Sequence, residues 1–233
     1  MASGYNRKFK TLLPDIERLA AKIDGQVIPS ELYARHKVFR GLRDLDGNGV
    51  LAGLTNISQV SAKKIVDGKE FPAPGKLYYR GFDVEALVRG FISEARFGFE
   101  ETAYLLLFGE LPGRAELSRF NEIIGAYRNL PTGFARDAIM KTPSRDMMNC
   151  LARGVLSLYF YDDCPDDTSI PNLLRQCIQL MAEFPLLAAY GYNTYQHYEH
   201  GQSLIIHPPR PELSTAENLL YMLRPDGKYT ELE

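Results

Sequence analysis

Gly53-Leu54-Thr55-Asn56-Ile57-Ser58-Gln59-Val60-Ser61, then Asp67-Gly68, then Gly75-Lys76-Leu77-Tyr78-Tyr79-Arg80-Gly81-Phe82-Asp83-Val84-Glu85-Ala86-Leu87, is the stretch that decides the fold. Leu54, Asn56-Ile57, Val60 and Ile65-Val66 alternate loosely, and Leu77-Tyr78-Tyr79 is a short β-prone run. Asp67-Gly68 and Pro72-Ala73-Pro74-Gly75 supply turn chemistry between them. The pattern predicts a small hairpin with a wide loop. Asp83 then stands where a helix N-cap belongs, its carboxylate positioned to accept orphan backbone N–H groups ahead of Val84, Leu87 and Val88. No other stretch reads as a sheet, so the hairpin is an insertion, about residues 54–81, in an all-α body.

Outward from the hairpin the periodicity is helical. Residues 5–24 read as a helix in two pieces broken near Pro14, with Ile16, Leu19, Ala20 and Ile23 on one face and Gly25 as the stop. Ser30 caps a short helix through Arg40. On the C-terminal side helices are predicted at 83–92, 99–108, 114–128, 133–142, 146–163, 168–200 and 214–224, separated by short Pro/Gly connections. Glu100 and Glu101 sit in the first turn of one of these, where carboxylates complement the helix dipole. The stretch from Ser169 to His200 would span roughly 48 Å if unbroken, with Pro185 as the expected kink. Its stripe of Leu173, Cys177, Leu180, Met181, Phe184, Leu187, Ala188 and Gly191 is widened by Leu174, Ile178, Leu186 and Ala189, so it must be covered on most sides.

The bulk composition narrows the classes. The 233 residues are 45% hydrophobic and 24% charged, which is ordinary for a globular chain able to bury a sizeable core. A net charge of −2 provides no field to steer nucleic acid or an anionic membrane. No window approaches the roughly 18 apolar residues of a membrane span, and Pro14 and Asp15 interrupt the N-terminal apolar run, so no signal peptide is read there. Cys150, Cys164 and Cys177 lack CxxC spacing and sit among apolar residues, which predicts reduced, buried, structural thiols. The expectation is a cytoplasmic protein that binds neither nucleic acid nor membrane.

Few residues carry chemistry on their own. Asp44, Asp46, Asn48 and Gly49 match the first positions of a calcium-binding loop, but position 12 is Thr55 where a bidentate glutamate is needed, so a structural turn is predicted. Gly47-x-Gly49-x-x-Ala52 imitates a dinucleotide fingerprint without the preceding strand or following helix. His197 and His200 share a helix face but have no third ligand nearby, and zinc takes three or four protein ligands; no metal site is assigned. His36 and His207 have no partner motif. Tyr190, Tyr192, Tyr195 and Tyr198 read as a helix end that packs its rings and wets its hydroxyls. Nucleophile elbow, P-loop and HExxH are all missing.

The opening stretch, followed by Phe99-Glu100-Glu101-Thr102-Ala103-Tyr104-Leu105-Leu106-Leu107-Phe108-Gly109-Glu110-Leu111-Pro112, resembles the N-terminal part of citrate synthases. The similarity extends through the long helical region to Ser214-Thr215-Ala216-Glu217-Asn218-Leu219-Leu220-Tyr221-Met222-Leu223, which is similar to the family's segment just before its first catalytic histidine. It covers most of this chain and about half of such an enzyme. The resemblance implies the N-terminal part of a large helical domain over residues 1–233, in an enzyme that condenses acetyl-CoA with oxaloacetate to citrate and CoA.

In that family an aspartate removes the acetyl methyl proton and two histidines stabilise the enol and polarise the ketone. All three lie after the segment matched here, so no catalytic residue is assigned and the chain alone is expected to be inactive. Many members place a substrate-contacting histidine or asparagine where Tyr221 stands, which makes Tyr221 the one candidate substrate-binding residue. Arg224 is near enough to meet a substrate anion, or else it complements the helix dipole. No cofactor is implied beyond acetyl-CoA as substrate. The resemblance further implies a homodimer through helices 146–163 and 168–200. A 2-methylcitrate synthase, which uses propionyl-CoA, and a non-catalytic helical interaction or dimerisation module remain as alternatives.

Overall fold

The computed structural model describes residues 9–38, 43, 46, 50–230 and 232–233. A 3₁₀ turn at Lys10–Leu12 leads into α1 (Leu13–Ala20), followed by α2 (Ser30–Arg35), β1 (Ser58–Val66), β2 (Lys69–Tyr79) and β3 (Phe82–Asp83). Then come α3 (Val84–Ser93), α4 (Phe99–Phe108), α5 (Arg114–Tyr127), a π-helical turn at Ala135–Met140, α6 (Met147–Leu158) with a 3₁₀ turn at Tyr159–Tyr161, α7 (Ile170–His200) and α8 (Thr215–Leu223). The architecture is all-α with one small sheet. The chain divides into two compact units, Lys22–Leu111 and the remainder, residues up to Ala21 together with Pro112–Glu233.

The Lys22–Leu111 unit holds the antiparallel sheet, in the order β1-β2-β3. Asp67 and Gly68, both at positive φ, make the two-residue turn that joins β1 to β2. Such turns suit the right-handed twist of a hairpin. The loop is therefore tight where a wide one was expected. Pro72-Ala73-Pro74-Gly75 lies inside β2: the register passes from Ser61 opposite Lys76 to Lys63 opposite Pro72, so Ala62 faces three residues. Two prolines without N–H groups cannot join a regular ladder, and a bulge absorbs them.

Asp83 caps α3 as the sequence implies, accepting from the Glu85 N–H at 2.8 Å. The α4 carbonyls exposed at its C-terminal end are met by side chains: Arg80 donates to Leu106 O through Nε and Nη2 at 3.1 and 2.9 Å, and Gln26 donates to Phe108 O at 2.7 Å. Lys22 donates to the Tyr104 hydroxyl at 2.8 Å and to Glu110 at 2.6 Å. Leu87, Tyr104, Leu105 and Phe108 are its buried apolar residues. The helix begun at Ser30 ends at Arg35 rather than Arg40, because the chain turns at Lys37 with φ +50°.

The larger unit is built on α7, which packs against α1, α5, α6, α8 and the π-helical turn. Its covered side is Leu174, Ile178, Ala182, Leu186 and Ala189, all buried, whereas Leu173, Cys177 and Phe184 face solvent. Leu187 and Gly191 of the expected stripe are buried with them, so the covered side takes in the widening residues and part of the stripe. Of the three cysteines only Cys150 is buried; Cys164 and Cys177 are exposed thiols. Burial of Cys150 follows from its place on the inner side of α6, while Cys164 lies in the turn that leads to α7. Pro14 sits in the first turn of α1, where its missing N–H costs nothing, so it opens that helix instead of breaking it. The helix runs unbroken through Pro185. The expected helix at 133–142 is a short π-helical turn, and the helix expected to reach residue 163 closes in the 3₁₀ turn at Tyr161. Asp44, Asn48 and Gly49 of the calcium-like motif, Gly47 and Gly49 of the dinucleotide-like motif, and the start of the first predicted helix fall on residues outside those described.

Candidate functional site

The segment most directly linked to chemistry by the sequence, α8 and the approach to it, belongs to the larger unit. A full capping box starts α8: Ser214 Oγ accepts from the Glu217 N–H at 3.2 Å, and Glu217 Oε2 accepts from the Ser214 N–H at 2.9 Å. Both orphan donors are satisfied reciprocally. Buried Asn218 fixes the preceding loop by accepting from the Arg210 N–H at 2.8 Å.

Arg128 holds the same loop from α5. Its Nη1 donates to Arg210 O at 3.0 Å and to Leu213 O at 2.6 Å, and its Nη2 donates to Thr215 Oγ1 at 3.3 Å. A buried guanidinium that spreads its Nη donors over two carbonyls and a hydroxyl satisfies loop backbone groups and ties the loop to the end of α5. Close approach helps: a Cβ at Gly125 would stand 2.3 Å from Pro211 O, so only glycine lets the loop rest on α5. From α7, Asn193 donates to Ile205 O at 3.2 Å and to Met222 O at 3.1 Å, tying both flanks of α8 to the long helix.

Tyr221 is only 8% exposed. The Arg210 guanidinium lies 4.3 Å from its ring centre, the His207 ring is 5.0 Å away, and Gly227 closes against its edge. This is a cation–π and aromatic stack that anchors the helix. The adjacent Tyr190 hydroxyl donates to His207 O at 3.3 Å, and burial pushes its pKa up to about 12, so it stays a neutral donor.

Beside α8 opens a cleft of about 400 Å³ lined by Tyr192, Asn193, Gln196, Gln202, Ser203 and Arg224, with Ile205, Leu220, Leu223 and Pro225 as its apolar walls. Amides, hydroxyls and one guanidinium are donors that suit carboxylate oxygens. Among the described residues no carboxylate or imidazole is part of the cleft lining, which is built to bind through amides, hydroxyls and one guanidinium. Arg224 also pairs with Glu233. The two residues singled out from sequence are separated by this geometry: Arg224 borders the cleft, whereas Tyr221 packs into the stack behind it.

The two paired histidines go separate ways. His197 Nδ1 meets Gln202 O at 2.7 Å and His200 Nε2 meets the Tyr195 hydroxyl at 3.2 Å. Along the tyrosine-rich end, Tyr190 is buried and Tyr192 and Tyr198 are open to water. Among the described residues no group of three His, Cys, Asp or Glu side chains is arranged to hold a metal, and no helix is long and apolar enough to cross a membrane.

Sequence reading missed a polar row on the covered side of α7. Arg175 Nη2 donates to both Asp162 oxygens at 2.8 and 2.7 Å, Arg175 Nη1 to Gln179 Oε1 at 3.0 Å, and Gln179 Nε2 to Glu183 Oε1 at 3.1 Å. Burial alone would raise the Asp162 pKa. Hydrogen bonds from Arg175, from the Cys164 N–H and from Gln176 outweigh it and hold the carboxyl below the usual range. Residues 175, 179 and 183 recur every four positions, a spacing visible in the sequence but submerged in the apolar stripe.

Comparison with known proteins gives these features a context. The family described as citrate synthase, C-terminal domain, matches residues 44–233. The citrate synthase of Acidithiobacillus ferridurans is 32% identical over 194 residues, covering 79% of this chain and 44% of that protein. The 2-methylcitrate synthase 1 of Corynebacterium glutamicum is 32% identical over 143 residues, covering 61% and 33%. Among solved structures, citrate synthase from Pyrobaculum aerophilum superposes with a TM-score of 0.60 at 26% identity, over 78% of this chain and 44% of that one. Citrate synthase from Thermotoga maritima does so with 0.53 at 28% identity, over 74% and 38%. The chain thus spans less than half the length of the relatives it matches.

Proposed function

The chain belongs to the citrate synthase family, and on that premise we propose that it supplies the N-terminal part of the large helical domain of an enzyme that condenses acetyl-CoA with oxaloacetate, an acyltransferase that forms a carbon–carbon bond. The observation that carries this reading is the family match across residues 44–233, supported by the helical fold with its single small sheet. In this reading the chain's work is positioning. α8 is placed by Arg128, Asn193, Asn218 and its capping box; Arg224, bordering the cleft just past its C-terminal end, is the substrate-proximal residue, and Tyr221 in the stack behind the cleft is the second residue offered to substrate. A tyrosine hydroxyl donates one hydrogen bond and a guanidinium several to a carboxylate. The aspartate base and the two histidines lie outside this chain, which alone has no condensing activity. CoA enters as part of a substrate, with no further cofactor.

The same reading makes the protein a cytoplasmic homodimer whose seam is formed by α6 and α7. Propionyl-CoA in place of acetyl-CoA is the second reading, favoured by the 32% identity to a 2-methylcitrate synthase.

A chimaera in which this chain replaces the matching stretch of the A. ferridurans citrate synthase tests the proposal. Oxaloacetate-dependent thiol release should appear with acetyl-CoA for the chimaera and stay at the blank for the chain alone. A folded, dimeric chimaera that releases no thiol from either acyl-CoA would refute the positioning role. Release by the chain alone would refute the assignment of the catalytic groups to another segment.

A further inference from the structure

The hairpin of β1 and β2 buries none of its residues fully, and β1 is exposed over almost its whole length. Val60 is 78% and Ile65 74% exposed, and Val66 and Phe71 are open to water as well. β1 is the marginal strand, and no other described segment hydrogen-bonds to its outer edge. The outward-pointing N–H and C=O groups of this nine-residue strand, those not bonded to β2, are a template for one more strand.

The side chains say which kind of strand. Lys64 is opposite Phe71 and Val66 opposite Lys69, which puts two lysines and two apolar groups on one face beyond the bulge. Lys63, on the other face with Ile65, is already matched to Glu70 at 2.7 Å, and Lys76 to Asp83 at 3.2 Å. Lys64 and Lys69 form no ion pair within the described residues. Lysines by themselves guard an edge against aggregation. A guard does not need Val60, Ile65, Val66 and Phe71 left uncovered beside it. A second copy of this edge is a poor match, because antiparallel pairing of two β1 strands would place Lys63 and Lys64 of both copies on one short ladder.

We propose that β1 accepts an added strand from an acidic, extended segment of another protein. The added backbone completes the ladder at the free edge of β1. Its carboxylates lie on the face of Lys64 and Lys69, and its apolar side chains lie on the face of Ile65.

The test uses the whole chain and a fluorescein-labelled peptide of about nine residues alternating glutamate and valine. Three comparison probes accompany it: the same peptide with lysine for glutamate, the same peptide N-methylated at every second residue, and vesicles containing phosphatidylserine. Saturable binding of the Glu-Val peptide is expected, with slowed amide hydrogen exchange in β1. Binding should weaken about tenfold or more for both altered peptides and for the Lys64→Glu, Lys69→Glu double variant, whose circular dichroism should match the wild type. Absence of saturable binding overturns the proposal. So does binding indifferent to N-methylation, which would mean that no ladder forms, or indifferent to the double variant. Retention on the vesicles without peptide binding would make this face a membrane surface and overturn it equally.

Discussion

The hairpin and the outer side of α6 and α7 are both apolar and both face water, yet their chemistry points to different covers. On the hairpin the exposed Val66 and Phe71 are interleaved with Lys64 and Lys69 along an open backbone edge. On α6 and the 3₁₀ turn that closes it the exposed row is Met148, Ala152, Leu156 and Phe160 at four-residue spacing, and on α7 it is Leu173, Cys177 and Phe184. Helix backbones there are already hydrogen-bonded, so only side chains remain to be covered. A surface that offers lysines and free N–H groups selects an acidic strand, whereas one that offers aliphatic and aromatic knobs selects more of the same. Exposure alone does not tell a partner's nature; the polar groups beside it do.

The sharpest way to break the comparison is to place a charge on each side of α7. Ile178 is completely buried, and Ile178→Asp should cost more than about 4 kcal/mol, enough to unfold a chain of ordinary stability. Phe184→Asp on the outer side should cost under about 1 kcal/mol for the monomer. Urea titration followed by circular dichroism separates them, and equal losses would show that the outer side is also core.

Next in size is the Asp162–Arg175 pair, both side chains largely covered. Asp162→Asn leaves the guanidinium without its anion and should destabilise by about 3 kcal/mol at neutral pH. The Asp162 pKa is lowered in the folded chain, so its contribution is present above the ordinary value of 3.8 and is lost as pH falls through the folded-state value. The stability gap between wild type and Asp162→Asn should therefore close on acidification below about pH 4. A gap constant from pH 7 to pH 3 would contradict the ion pair. Smaller again is Ser214→Ala, which removes one half of the α8 capping box and should cost about 1 kcal/mol, with amide exchange quickened in the first turn of α8 and unchanged in β1.

Much of this fold was legible because local signals and tertiary packing agree. Asp83 caps α3, Gly109 ends α4 in a left-handed conformation, and Ser214 with Glu217 opens α8, each with the chemistry its residue type supplies. The covered side of α7 was not legible, because a helix apolar around most of its circumference carries too weak a periodicity to name its inner face. Its neighbours α1, α5 and α8, far away in sequence, make that choice. Pro72 to Gly75 read as a turn because prolines and glycine usually mark one, yet Asp67-Gly68 closes the hairpin first and leaves them as a bulge.

Around the candidate site, Tyr221 and Arg224 could be named from the sequence, but the separation between stack and cleft could not. The Arg128 clamp and the Gly125–Pro211 contact join residues more than 80 positions apart, and no spacing rule reaches that far.

Sedimentation velocity of the chain at tens of micromolar tests the central contrast most directly. A two-fold contact through the outer sides of α6 and α7 uses the same patch on both copies, and burial at about 25 cal/mol per Å² of apolar surface favours it. The account predicts a dimer that becomes a folded monomer in the Leu156→Asp, Phe184→Asp double variant and is unaffected by Lys64→Glu, Lys69→Glu. A wild-type chain that sediments as a folded monomer, or a dimer that survives the first double variant and dissociates in the second, would contradict it.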